Sequence, residues 1–276
     1  MAEITGAKLS IDPRRLPAGA RVIDVGCGDG RHVRAALARG CAAVGVDYDV
    51  ATLREARDAG GGASFVVADA ARLPFRDRAF DAAVCTETLE HLPDDRAAMR
   101  ELARVTRPGA PLLGAVPSHF TEVPYFLLSR GYREAPGGHV RIYRPPRLFA
   151  RLRAVGFELE SMRYVHFIDS IFWLRYCLTD AVQRARRRSD FEQAVALAVA
   201  AGRRTPGWRL RLRAAAGRSR FIAALDGAGA WVWPKSLTFV ARRTLAPSRV
   251  TEPQPPADDP AAIMAASPHG DRELPR

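Results

Sequence analysis

From Arg21 to Val116 the chain alternates short apolar runs with longer segments in which apolar residues recur every three or four positions. The runs Arg21–Cys27, Ala42–Val46, Ser64–Ala68, Ala79–Cys85 and Ala110–Val116 read as strands. The first is apolar on both faces, as a central parallel strand should be. Helical spacing covers Asp29–Arg39, Val50–Ala59 and the stretch from Pro93-Asp94-Asp95 to Thr106. Gly40, the glycines at 60 to 62 and Arg107-Pro108-Gly109 mark where those helices stop. Strands alternating with helices predict an α/β, doubly wound parallel sheet.

Beyond this the pattern changes. Ser118–Tyr143 reads as irregular, rich in aromatic residues, glycine and proline, and has the look of a lid. A helix over Pro145–Val155 and a strand over Phe157–Val165 follow. His166–Ala230 keeps helical spacing and carries basic clusters at Arg184–Arg188 and Arg209–Arg220. Ser236–Arg243 is a last strand, and proline, alanine and acidic residues dominate from Ala246 onward. The expected organisation is an N-terminal arm (1–20), a core (21–165), a helical insertion or cap (166–230), a closing strand (231–245) and a disordered tail (246–276).

Composition narrows the classes. A hydrophobic content of 47% in 276 residues is ample for a core. The formal charge of +12 is nearly all arginine, with Lys8 and Lys235 the only lysines. Such an excess attracts nucleic acid, anionic lipid or acidic substrates, or reflects codon bias. Cys27, Cys41, Cys85 and Cys177 form no C-x-x-C pair, so neither a zinc site nor a disulfide framework is expected, and no metal is assigned. Reduced thiols and the absence of a secretory pattern in Met1–Leu16 suggest a cytoplasmic protein. Phe167–Val182 is apolar but broken by Asp169, Arg175 and Asp180, so it is not read as a membrane span.

The chemistry concentrates in Val22-Ile23-Asp24-Val25-Gly26-Cys27-Gly28-Asp29-Gly30. A strand runs into a glycine-dense loop, and a helix follows whose first N–H groups favour an anionic ligand group. The dinucleotide fingerprint needs G-x-G-x-x-G, but position 31 is arginine; the P-loop needs a lysine that is absent here. The observed D-x-G-x-G-x-G resembles motif I of the class I S-adenosylmethionine (SAM)-dependent methyltransferases.

The resemblance extends in order along the chain, over Arg21–Val165 and the closing strand. Val44-Gly45-Val46-Asp47 and Val67-Ala68-Asp69-Ala70 match the acidic ends of the second and third strands. Leu73-Pro74-Phe75, Phe80–Cys85, Leu89-Glu90-His91-Leu92, Glu101–Gly109, Gly138-His139-Val140-Arg141 and Ala154–Phe157 resemble the quinone and sterol methyltransferase branch. This implies a Rossmann-like, seven-stranded, mostly parallel sheet with a helical insertion before the last strand, and SAM as cofactor. It also implies a binding set of Asp24, Gly26, Cys27, Gly28, Gly30, Asp47, Tyr48, Asp69, Ala70, Thr86 and Glu87. Asp24 would face the ammonium group, Asp47 the ribose hydroxyls and Asp69 the adenine amine.

Methyl transfer is an in-line displacement, and an oxygen or carbon acceptor also loses a proton. His139 and His91 are the expected bases, both at the carboxyl edge of the sheet, although His91 has an alternative use in orienting its loop. His119 ranks third, and His166 reads as packing. Cys85-Thr86-Glu87-Thr88 stands where exocyclic-amine methyltransferases of nucleic acids carry an [ND]-P-P-[YF] motif, which argues against that chemistry. The expectation is methylation of a small-molecule or lipid-linked acceptor, on oxygen or carbon rather than nitrogen. Peripheral contact with anionic membrane, at the inner surface, would run through Arg184–Arg220. An RNA-binding methyltransferase and a non-catalytic SAM-binding scaffold are the alternatives.

Overall fold

The protein was analysed as a computed structural model, which describes residues 9–129, 132, 138–186, 228–230 and 232–244. Seven strands form one sheet: β1 (Arg21–Val25), β2 (Ala42–Asp47), β3 (Ser64–Val67), β4 (Ala82–Thr86), β5 (Pro111–Pro117), β6 (Phe157–Val165) and β7 (Ser236–Arg243). Their order is β3-β2-β1-β4-β5-β7-β6. β1 pairs in parallel with β2 and β4, and β4 with β5, whereas β7 runs antiparallel to both β5 and β6. The expected mostly parallel sheet is therefore what forms.

The apolar runs explain the order of burial. Every residue of β4 and β5 is buried, as continuous hydrophobic strands in the middle of a sheet should be, while the edge strands β3 and β6 are only partly covered. Helices α1 (Arg31–Leu37), α2 (Val50–Asp58), α3 (Asp95–Val105) and α5 (Pro145–Ala154) pack on the faces. From α3, Met99 and Leu102 meet Ile23, Cys85 and Leu112 in one cluster. Each fully buried side chain of this size contributes about 1.5–3 kcal/mol. Side chains also stop the helices from fraying: Asp49 accepts from the Ala51 N–H at 2.9 Å, and Asp94 from the Ala97 N–H at 2.9 Å.

The arm is partly structured. Ile11, Leu16 and Ala20 are buried against Val22, Val84 and Leu113. α1 begins at Arg31 rather than Asp29, because the Asp29 carboxylate turns back to accept from the Arg31 N–H at 3.1 Å.

The irregular lid expected over Ser118–Tyr143 needs correction. Its first third is a helix, α4 (His119–Leu128). Ser118 caps it by accepting from the Phe120 N–H, and Thr121 Oγ1 donates back to the Ser118 carbonyl at 3.0 Å. Pro124 is the sixth of the ten residues of this helix, an interior position where the ring forfeits the turn bond to the Phe120 carbonyl. Tertiary contacts outweigh that loss: Tyr125 is 1% exposed, and its hydroxyl donates to the Ser170 carbonyl at 2.6 Å. Ser170 belongs to α6 (Phe167–Arg186), the described part of the expected insertion. Arg209–Arg220, the rest of 187–227 and the tail 246–276 lie outside the described residues.

Candidate functional site

Brought to the carboxyl edge between β1 and β4, where the strand order reverses, are the residues singled out in the sequence. Asp24 stands one residue before the end of β1. It is 2% exposed, and neither carboxylate oxygen has a hydrogen-bond partner. Its nearest basic atom is His32 Nδ1, 3.9 Å away, and that nitrogen lies 3.3 Å from Thr86 Oγ1. Burial, then the charges of Asp29 and Asp47, push the Asp24 carboxyl up to about 8. Burial pulls His32 down to about 4, so the imidazole is neutral and supplies no counter-charge.

The loop glycines divide into two kinds. Gly26, at φ +71°, has no room for a side chain: a Cβ there would lie 2.2 Å from Thr88 Oγ1. Gly28, at φ +51°, opens into free space, with nothing within 4 Å of the corresponding position. Only Gly28 thus offers its surface to a ligand, whereas Gly26 and Gly30 let the loop pack on Thr88 and Phe65. Cys27 is buried, and its N–H joins that of Gly26 on the Val46 carbonyl.

Asp47 ends β2 and locks the loop from the side. Its carboxylate accepts from the Gly28 N–H at 3.0 Å and from the Asp49 N–H at 3.1 Å. Tyr48 beside it is 77% exposed. Asp69 lies just past β3, exposed, with one oxygen accepting from the Ala71 N–H at 2.8 Å, and Ala70 next to it is buried. Thr86 is buried at the end of β4. Glu87 follows with φ +50°, an unusual conformation for a residue with a Cβ. That geometry turns its carboxylate towards Lys235, whose Nζ lies 3.7 Å from Oε2. Burial pulls the Lys235 ammonium down, but Glu87, Glu122, Asp169 and Glu90 together outweigh it and hold it above the usual lysine range.

A second group of side chains stands over the same edge. Leu89–His91 forms a single 3-10 turn after β4, and residues 138–143 are clasped to it. Arg141 donates to the carbonyls of Leu89, Leu92 and Pro93, and the Val140 N–H donates to the Glu90 carbonyl at 2.9 Å. This clasp sets the His91 and His139 rings 4.8 Å apart, edge to face. His139 Nδ1 lies 2.6 Å from Glu122 Oε2, and the Tyr132 hydroxyl donates to Glu122 Oε1 at 2.6 Å. His91 Nδ1 faces the Gly138 carbonyl at 3.3 Å. Glu90 is 1% exposed; burial, then Glu87 and Glu122, push its carboxyl well above the usual range. His119 Nδ1 is buried against Phe120, and burial lowers its basicity. His166 sits at φ +70°, with Nδ1 4.0 Å from Asp169.

Sequence reasoning did not single out His32, Glu90, Glu122, Tyr132 or Lys235. Lys235, one of two lysines in an arginine-rich chain, and Glu90, inside the Leu89–Leu92 motif, carried the only signals available. The others became visible only when distant elements met.

An unpartnered, buried carboxylate beside an open glycine loop fits a ligand that carries an ammonium group. Comparisons with known proteins identify that ligand. A methyltransferase domain family matches residues 23–113. The O-methyltransferase resE of Aspergillus sclerotiorum is 37% identical over 119 residues, covering 41% of this chain and 43% of its own length. The ubiquinone biosynthesis O-methyltransferase of Hahella chejuensis is 34% identical over 169 residues, covering 55% of this chain and 69% of its own. Among solved structures, the [4+2]-cyclase SpnF is similar at a TM-score of 0.53 and 23% identity, over 84% of this chain and 79% of that one. The chain therefore spans between about two fifths and about two thirds of the curated relatives' length. With the glycine loop, its acidic neighbours and the sheet order in agreement, the chain belongs to the class I SAM-dependent methyltransferases, the family whose methyl donor is SAM.

Proposed function

We propose that the protein moves the SAM methyl group to a hydroxyl oxygen of a small-molecule acceptor, with His139 and His91 as the centre where that hydroxyl loses its proton. The observation that carries this reading is the Tyr132–Glu122–His139 array. With Nδ1 engaged by Glu122, the Nε2 of His139 is the nitrogen left to meet the acceptor. Two relatives named as O-methyltransferases support oxygen as the methylated atom.

SAM supplies an activated methyl group and a neutral thioether leaving group. The rest falls to this chain. Asp24 would answer the ammonium end, relieved of its unpartnered burial, and the open surface of Gly28 would admit the amino acid backbone. Asp47, already fixed by the Gly28 and Asp49 N–H groups, would take the ribose hydroxyls, and Asp69 the adenine amine. Thr86 and Glu87 would line the region of the sulfonium, where a carboxylate is electrostatically favourable. The histidine pair would draw the proton from the acceptor oxygen as the new O–C bond forms and the C–S bond breaks. The alternative of a non-catalytic scaffold leaves the Glu122–His139 array without a use.

A lipid-linked acceptor is a second reading, favoured by one feature. Ile171, Leu178 and Val182 are each close to half exposed and lie along one side of α6. None of the described helices is long and apolar enough to cross a membrane, so contact would be peripheral. Labelled methyl from SAM, followed into the aqueous and lipid fractions of a source-organism extract, tests both readings. Label in a water-soluble methyl ether supports the first, label in a lipid supports the second, and no protein-dependent label refutes both. Binding to anionic liposomes at low salt is required only by the second.

A further inference from the structure

We propose that His32 donates a hydrogen bond to the carboxylate of SAM, so that Asp24 and His32 together form one receptor for an α-amino acid zwitterion. The inference rests on the reading of the glycine loop as the SAM site. It names the residue that meets the half of the amino acid end which Asp24 leaves unanswered.

His32 is the second residue of α1 and is 6% exposed. Its Nδ1 stands 3.9 Å from Asp24 Oδ2, on β1, and 3.3 Å from Thr86 Oγ1, at the end of β4. The other ring nitrogen, Nε2, is buried and has no hydrogen-bond partner. One corner of the molecule therefore holds three unanswered polar atoms: two carboxyl oxygens on Asp24 and one ring nitrogen on His32. Each is costly to bury alone.

The imidazole is neutral, because burial and the charge of Arg31 lower its basicity, so it has one N–H to place. The Thr86 hydroxyl decides where. It is buried, and His32 Nδ1 is its one hydrogen-bond partner among the described residues. Leaving the hydroxyl proton without an acceptor would be penalised, so Thr86 donates to Nδ1 and the ring proton sits on Nε2. The unanswered atom of His32 is thus a donor, standing beside two unanswered acceptors.

An ammonium group and a carboxylate on one carbon match this set. Asp24 accepts from the first, and His32 donates to the second. The arginines of the same helical turn are engaged elsewhere: Arg31 Nε donates to Asp29 Oδ1 at 2.9 Å, and Arg34 Nη1 to the Asp29 carbonyl at 2.8 Å. The negative charges of Asp29 and Asp47 both act on this corner, so a ligand carboxylate entering it needs a donor in direct contact.

The test is calorimetry on the full chain with three ligands: SAM, decarboxylated SAM, which keeps the amine but lacks the carboxylate, and 5′-methylthioadenosine, which lacks the whole amino acid end. Wild type should bind SAM about 10–100-fold more tightly than decarboxylated SAM, as a hydrogen bond to a charged group allows. His32→Phe, which keeps a ring but no N–H, should weaken SAM by about the same factor and leave the other two ligands within about twofold. His32→Gln, which restores an N–H donor, should recover most of the preference for SAM. Unchanged binding of 5′-methylthioadenosine reports an intact fold. Should His32→Phe fail to fold, Thr86→Val still decides: it keeps the imidazole but removes the hydroxyl that fixes its proton, and should cost SAM several-fold more than decarboxylated SAM. The inference is overturned if wild type binds SAM and decarboxylated SAM equally, or if neither variant narrows the gap between them. In either case SAM is still bound and only the role of His32 falls; failure of wild type to bind any of the three would remove the SAM reading itself.

Discussion

Asp24 is a residue held out of its preferred state. A carboxyl raised to about 8 binds a proton in the folded protein over a pH range where the unfolded chain, near 3.8, has lost it. The folded state then holds more protons than the unfolded one, so this group's contribution to stability declines as pH rises from about 4 to 8. Ligand-free wild type should lose thermal stability relative to Asp24→Asn over that window, and the asparagine variant should bind SAM far more weakly. Scanning calorimetry at several pH values checks the first part. If the difference between the two proteins does not change with pH, the carboxyl is not buried in its protonated form. Binding an ammonium group beside Asp24 at pH 7 should also release a proton, visible as a buffer-dependent binding enthalpy. The sequence disclosed Asp24, Asp47 and Asp69 because strand ends are local features. It did not disclose Glu122, which sits on a helix that the sequence reading missed and meets His139 across 17 positions. Glu122→Gln should lower kcat with SAM affinity unchanged, and His139→Ala should lower it further, by about 10²–10⁴-fold as loss of proton transfer does.

At the level of elements, the site depends on one clasp. Arg141 reaches back to three carbonyls around the Leu89–His91 turn, and this holds His139 against His91. Arg141→Ala should therefore spare SAM affinity, since the glycine loop lies elsewhere, and impair turnover through a misplaced His139. Calorimetry with SAM beside steady-state kinetics separates these effects; a parallel loss of both would show that the clasp supports the whole edge. The strands and the helices α2, α3 and α5 were legible because their apolar period and their caps agree. α4 was not, because proline and aromatic residues there satisfy tertiary partners, Ser170 and the core, that a local reading cannot see. The same reasoning explains the glycine loop. Its three glycines look equivalent in sequence, yet Thr88 and Phe65 occupy the space beside two of them and leave only Gly28 open.

Across the whole molecule, the sheet brings the glycine loop and the Tyr132–Glu122–His139 array together at its carboxyl edge. Asp24, Asp47 and Asp69 stand at or just past the ends of β1, β2 and β3, while the residue after β4, helix α4 and the residue before β7 supply Glu87, Glu122 and Lys235. SpnF, a [4+2]-cyclase of similar fold, indicates that this architecture alone does not dictate methyl transfer. The decisive measurement is therefore on the product. Wild type and His139→Ala, shown by calorimetry to bind SAM equally, are incubated with SAM carrying a ¹³C methyl group and a panel of hydroxylated small molecules, and the carbon is followed by nuclear magnetic resonance. The account predicts a methoxy signal with wild type and its near disappearance with His139→Ala. Label arriving on nitrogen or carbon, or equal methoxy formation by both proteins, would contradict it.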